Sequence, residues 1–189
     1  MAGLVRDAAG NFYGTTSEGG SYGSGTVFKL DTGGNESILY SFTGGADGSL
    51  PTAALTLDPV GNLYGTTYFG GSYGDGVVFK FDVAGNETVL YSFKGGADGA
   101  NPWAKVIRDP VGNLYGTTTY GGTVGEPGAG TVFKLDAAGN ETVLHRFGGR
   151  PDGSDIRSGV LRDSAGNLYG TAYGGGLHDK GIVYKITSP

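Results

Sequence analysis

"GNLYGTT" occupies Gly61–Thr67 and recurs letter for letter at Gly112–Thr118. It returns as "GNFYGTT" at Gly10–Thr16 and as "GNLYGTA" at Gly166–Ala172. A phrase used four times is either four copies of a site or one piece of scaffold. Fourfold catalysis would need a polar constellation in every copy, and this phrase offers only hydroxyls. It reads as a hairpin turn followed by a strand, with its Tyr packing between adjacent sheets and the hydroxyl reaching a backbone partner. The Gly after that Tyr (Gly14, Gly65, Gly116, Gly170) is expected to let a neighbouring sheet approach closely.

Working outward, Asp-x-x-Gly-Asn-x-Tyr-Gly aligns Asp7, Asp58, Asp109 and Asp163, which stand 51, 51 and 54 residues apart. The third spacing is longer because "TVGEPGAG" (Thr123–Gly130) replaces the five residues of "SYGSG" (Ser21–Gly25). Four strands are expected per unit. In the first unit they are Leu4–Asp7, Phe12–Thr16, Thr26–Leu30 and Ser37–Phe42, all short and rich in β-branched and aromatic residues. "DAAGN"-type turns join strands one and two, and again strands three and four. Asp accepts backbone N–H bonds there, and Gly three residues later takes the left-handed conformation. No helical period persists.

Composition agrees with that picture. Of 189 residues 40 are Gly, too irregularly spaced for collagen, while 12 Tyr and 9 Phe exclude a disordered linker. The net charge of −5, without any basic stripe, argues against nucleic acid as a partner. Cysteine is absent, so disulfides, thiolate metal sites and cysteine nucleophiles are out. No apolar stretch approaches a membrane span, so membrane insertion is not expected. No signal peptide precedes Ala2, and the first residues already read as strand, which suggests a mature or trimmed fragment.

Tandem four-stranded antiparallel units of this length are blades of an all-β propeller. The expected blades cover approximately residues 2–48, 49–99, 100–153 and 154–187 of one repeat domain. The Gly/Asp/Pro loop leading into "D-x-x-G-N-L-Y-G-T" is similar to the blade grammar of NHL-type propellers. More closely, "GNLYGTTYFGGSYGDGVVFKFDVAGNETVLYSFKGGADGANP" and its three relatives resemble the Gloeo/Verruco (GloVer) tandem repeat of secreted bacterial surface proteins. The resemblance covers nearly the whole chain and implies an extracellular, often surface-anchored protein of unknown activity. It transfers no catalytic residue, and the usual anchor is missing here.

The fourth unit stops after "GIVYKITSP", at its third strand, so fifteen strands are expected rather than sixteen. Three assemblies fit: a closed four-bladed ring with a bare edge, a homodimer completing an eight-bladed ring, or an open piece of a longer propeller, whose exposed edges would tend to associate.

Function is expected on the loops between strands two and three and between units, which share one face and carry most of the variation. Ligand-binding candidates are Trp103, Tyr22, Tyr73, Phe69, Arg157, His178 and Lys180, an aromatic and mixed-charge set suited to stacking on a sugar ring and bonding its hydroxyls. The blander alternative is that exposed loops drift and accept polar residues freely. Were the protein an enzyme acting on polysaccharide, as hydrolase or lyase, Glu126, Asp155 and Asp179 would be its carboxylates and His178 its base. No nucleophile elbow, zinc motif or Walker loop is present, and the Gly-rich loops open no helix. The sequons at Asn35, Asn86 and Asn140 all fall in the same hairpin turn, which explains them by turn chemistry. Asp47, Asp98 and Asp152 raise calcium, but ordinary Asp-Gly turns account for them, and no metal or cofactor is expected. His145, standing where Tyr40 and Tyr91 stand in other units, reads as a half-exposed packing residue. The leading expectation is a non-catalytic extracellular or cell-surface propeller that recognises a glycan, a surface polymer or another cell-surface partner through its loop face. The alternatives are the polysaccharide-acting enzyme and a purely structural, self-assembling blade array.

Overall fold

The computed structural model describes residues 3–122 and 128–187. Among these residues fifteen strands form three four-stranded antiparallel sheets and one three-stranded sheet, each in sequence order. The first sheet is β1 (Val5–Arg6), β2 (Phe12–Thr16), β3 (Thr26–Leu30) and β4 (Glu36–Ser41). The second is β5 (Thr56–Leu57), β6 (Leu63–Thr67), β7 (Val77–Phe81) and β8 (Glu87–Ser92). The third is β9 (Ile107–Arg108), β10 (Leu114–Thr118), β11 (Thr131–Leu135) and β12 (Glu141–Arg146). The fourth has β13 (Leu161–Arg162), β14 (Leu168–Ala172) and β15 (Ile182–Ile186). The only helical element among the described residues is a 3-10 turn at Gly96–Asp98. Second and third strands fall where the sequence places them. First strands shrink to two residues, and fourth strands begin and end one residue earlier than expected, at Glu36 rather than Ser37.

The chain divides into two compact units, Met1–Ser92 and Phe93–Pro189, each holding two sheets. Within a unit, each sheet has a forward face, toward the sheet that follows, and a rear face, toward the one before. In the first unit Val5, Tyr13 and Val27 of the forward face of the first sheet pack on Leu55, Leu63, Phe79 and Phe81 of the rear face of the second. In the second unit Ile107, Tyr115 and Val132 meet Val160, Leu168, Ile182, Tyr184 and Ile186 in the same way. An aromatic from the end of each sheet's outer segment closes the joint edge-on: Phe42 lies 5.1 Å from Phe79, and Phe147 lies 4.9 Å from Tyr184.

The repeated phrase is scaffold, with two differences from expectation. The Tyr hydroxyl donates to a side chain, not to the backbone. Tyr13, Tyr64, Tyr115 and Tyr169 reach Asp7, Asp58, Asp109 and Asp163 at 3.0, 3.1, 3.2 and 3.0 Å. The same carboxylate accepts from the backbone N–H and the side-chain amide of the Asn four residues on, as Asn62 does to Asp58 at 2.9 and 2.8 Å. Burial pushes the Asp58 carboxyl up, but these bonds outweigh it and hold it below the usual range. With the Val60 N–H, Asp58 accepts from four donors, and its exchange for Ala would orphan them all.

The second difference concerns the Gly after the Tyr. Its missing side chain makes room inside its own sheet, not for a neighbouring one. A Cβ on Gly65 would lie 2.5 Å from the ring of Phe79, its partner across the β6–β7 ladder, and 2.9 Å from Leu55. The ring of the third strand thus lies over the glycine of the second.

Candidate functional site

A short antiparallel bridge joins each inter-sheet loop to the loop that follows the next second strand. Ser49 pairs with Phe69, Ala100 with Tyr120 and Ser154 with Gly174. The residue after each bridge, Leu50, Asn101 or Asp155, holds a positive φ of 57°, 56° or 55°. That left-handed step turns the chain so that the next residue plugs the core (Ile156 is fully buried) and the one after emerges on the loop face. Thr52, Trp103 and Arg157 are therefore one position on three successive sheets.

In the second unit this device assembles a cluster. Arg157 binds Asp155 through both ends of a fork, Nε to Oδ1 at 2.8 Å and Nη2 to Oδ2 at 2.6 Å. The Asp155 bonds and charge raise the already high Arg157 pKa, so the guanidinium is permanently charged. Its Cζ lies 4.8 Å over the Tyr173 ring, a cation–π contact. Tyr173 remains 72% exposed, and Tyr120 lies close to Arg157. Arg157, Ser158, Thr171, Tyr173 and Lys180 line an open cleft of about 460 Å³. Ser158 holds one wall in place, its Oγ donating to the Thr171 carbonyl at 2.8 Å and accepting from its N–H at 3.1 Å.

The remaining candidates are dispersed. Asp179, with φ of 56°, accepts from the Gly175 N–H at 2.8 Å and caps its own turn. His178 is exposed at that turn's tip, and Trp103 is 39% exposed at the Arg157-equivalent position one sheet earlier. Tyr22, Phe69 and Tyr73 are exposed loop residues of the first unit. Glu126 lies outside the described residues. Tyr173, Tyr120 and Ser158 were not singled out from sequence. Tyr173 gives no signal in the repeat alignment, where it matches another Tyr, Tyr68; only the structure shows it exposed where Tyr68 is half-buried.

The other acidic positions serve the scaffold. Asp47 accepts from Tyr40 at 3.0 Å and from Thr43, and Asp152 accepts from His145 at 3.0 Å and from the Gly148 N–H. His145 also packs edge-on at 4.6 Å against Phe147. No group of three or more His, Cys, Asp or Glu converges as a metal site among the described residues. The sequon amides of Asn35, Asn86 and Asn140 donate to Asp31, Asp82 and Asp136 of their own turns. Two carboxylates are poised differently. Burial pushes Glu87 up to about 7 with help from the Asp47 charge, and does the same to Glu141 with help from Asp98. In each, Oε1 is buried with no hydrogen-bond partner.

The model of the Gloeobacter/Verrucomicrobia repeat matches residues 1–189. The chain belongs to this repeat family. No curated protein matches it. Among solved structures it is similar to a protein described as a candidate gluconolactonase (TM-score 0.56, 17% identity, 99% of this chain and 63% of that one). It is likewise similar to a luciferin-regenerating enzyme (TM-score 0.56, 17% identity, 98% and 60%). A candidate 6-phosphogluconolactonase from Bacteroides uniformis is more distant (TM-score 0.47, 17% identity, 98% and 56%). At this identity the likeness is one of fold, and the fold is a β-propeller. The chain spans between 56% and 63% of the length of these structures. Within the Gloeobacter/Verrucomicrobia repeat family frame, the hairpin carboxylates and ring-over-glycine contacts belong to the blade, and the Arg157 cleft does not.

Proposed function

We propose that this propeller is a carbohydrate-binding module of a secreted or surface protein and that the Arg157 cleft takes an acidic sugar. The observation that carries the reading is the lining of that cleft: two cations, Arg157 and Lys180, beside the exposed ring of Tyr173 and the hydroxyl residues Ser158 and Thr171. An exposed aromatic offers an apolar face to a sugar ring, and a guanidinium and an ammonium answer a carboxylate. Asp155 engages Nε and Nη2 of Arg157, which fixes the guanidinium plane and leaves Nη1 for a ligand. Binding rather than catalysis is favoured because Asp155 is committed to Arg157 and Asp179 to Gly175. The lactonase names of the structural neighbours therefore add nothing to this reading.

The test is calorimetric titration with oligogalacturonate, against a neutral dextran oligomer of similar length. The acidic oligomer should bind and the neutral one bind at least tenfold more weakly, a difference of about 1.4 kcal/mol. Arg157→Ala and Lys180→Ala should each remove most of that preference, and Tyr22→Ala should leave it intact. Equal binding of both oligomers, or loss caused by Tyr22→Ala alone, would refute the assignment.

A further inference from the structure

Each unit shows what a forward face requires. In the first unit Val27 is fully buried against the rear face of the second sheet, and in the second unit Val132 is fully buried against the fourth. The fourth sheet repeats that forward face residue for residue: Leu161 for Val5 and Ile107, Tyr169 for Tyr13 and Tyr115, Val183 for Val27 and Val132, and Lys185 for Lys29 and Lys134. Yet Val183 is 81% exposed and Leu161 73%. The first sheet presents the converse. Its rear face carries Leu4, Phe12, Phe28, Leu30 and Ile38, where the second sheet has Leu55, Leu63, Phe79, Phe81 and Val89. Leu55, Leu63, Phe79 and Phe81 are buried, whereas Leu4 is 56% and Ile38 57% exposed.

We propose that a second copy of this chain docks head to tail, the rear face of its first sheet seated on the forward face of the fourth. The mate is specified by the molecule itself, because in each unit a forward face meets a rear face. Charge agrees with the register. In the first unit Lys29 and Asp82 line opposite sides of one groove, and the same docking brings the exposed Lys185 toward Asp31 of the second copy, the counterpart of Asp82. The contact is heterologous: one patch meets a different patch. It closes into a ring if the rotation permits and otherwise extends as a ladder. This inference stands apart from the glycan reading, since it uses none of the residues that line the Arg157 cleft.

The experiment is light scattering after size-exclusion chromatography of the 189-residue chain, from roughly 1 to 300 µM, the range in which a contact of modest area assembles. Association should be seen, and Val183→Asp and Ile38→Glu should each weaken it at least tenfold while circular dichroism stays unchanged. An equimolar mixture of the two variants should recover association, because each retains the face that the other has lost. A monomer throughout overturns the proposal. So does a complex indifferent to Ile38→Glu, which would mean pairing of fourth sheet with fourth sheet, or one indifferent to Val183→Asp, which would mean pairing along the outer edge of β15. Failure of the mixture to recover overturns it as well.

Discussion

Gly65→Ala adds one methyl group where the structure leaves no room for it. The new Cβ would lie 2.5 Å from Cζ and 2.8 Å from Cε1 of Phe79, and 2.9 Å from Cδ2 of Leu55. Neither neighbour can step aside, since Phe79 is fully buried and Leu55 is 3% exposed. Overpacking of this kind costs about 1–3 kcal/mol. Against it stands the smaller conformational freedom of Ala in the unfolded chain, worth about 0.4–1 kcal/mol. The net destabilisation is then about 1–2 kcal/mol, or a fall in Tm of roughly 2–8 °C for a chain of this size. Thermal unfolding followed by circular dichroism reads it directly. Gly148→Ala is the control: its added Cβ meets nothing within 4 Å, so its Tm should stay within about 2 °C of the parent. Phe79→Leu in the Gly65→Ala background should be less damaging than the two single changes predict together, by about 1 kcal/mol, because the shorter side chain frees the space. A Gly65→Ala protein with unchanged or raised Tm, or strict additivity in the double variant, would refute the ring-over-glycine account.

Three further outcomes are expected. Tyr184 stands where the second and third sheets carry Phe, and its buried hydroxyl has no hydrogen-bond partner, so Tyr184→Phe should raise stability by about 1 kcal/mol in urea unfolding. Removing the hydroxyl of Tyr64 leaves Asp58 one donor short in a buried hairpin, and Tyr64→Phe should cost about 1–2 kcal/mol by the same measurement. Glu87 and Glu141 have folded pKa values raised to about 7, so the folded state holds protons that the unfolded state has released. Their contribution is therefore complete below the unfolded value near 4.5 and is lost as pH rises through 7. Both side chains are partly solvated, which reduces the effect to about 1 kcal/mol each. Unfolding measured from pH 5 to 8 should show that decline, and Glu87→Gln with Glu141→Gln should flatten it; an unchanged slope in the double variant would refute the assignment.

The blades were legible in the sequence because turn chemistry and strand propensity repeat in register, and repetition turns weak local signals into a strong one. Second and third strands emerged to the residue since Gly-Asn on one side and Gly on the other bound them. First strands are shorter than the sequence pattern implies, because Leu4 lies over Gly14 and Asp7 caps a turn, and neither is a ladder residue. Propensity points the Tyr hydroxyl at the backbone, whereas its acceptor is the Asp six residues earlier in the motif. At the cleft, Arg157 and Lys180 stood out as departures from the repeat. Their meeting with Tyr173 depends on the Ser154–Gly174 bridge and the left-handed Asp155, which pattern alone does not reveal.

The Asp-Asn-Tyr clamp also bears on how such a chain reaches its structure. Its bonds span only four or six residues, so a clamp can form from its own loop without any long-range encounter. Closing a loop of about ten residues takes roughly 10–100 ns, far less than the docking of one sheet on another. Hairpins nucleated separately along the chain would then face a sorting problem, since "GNLYGTT" in the second and third sheets is identical and pairs as readily with one "VFK" strand as the other. Short connections settle that choice by proximity, and the unequal loop of the third sheet gives its hairpin a closure rate of its own.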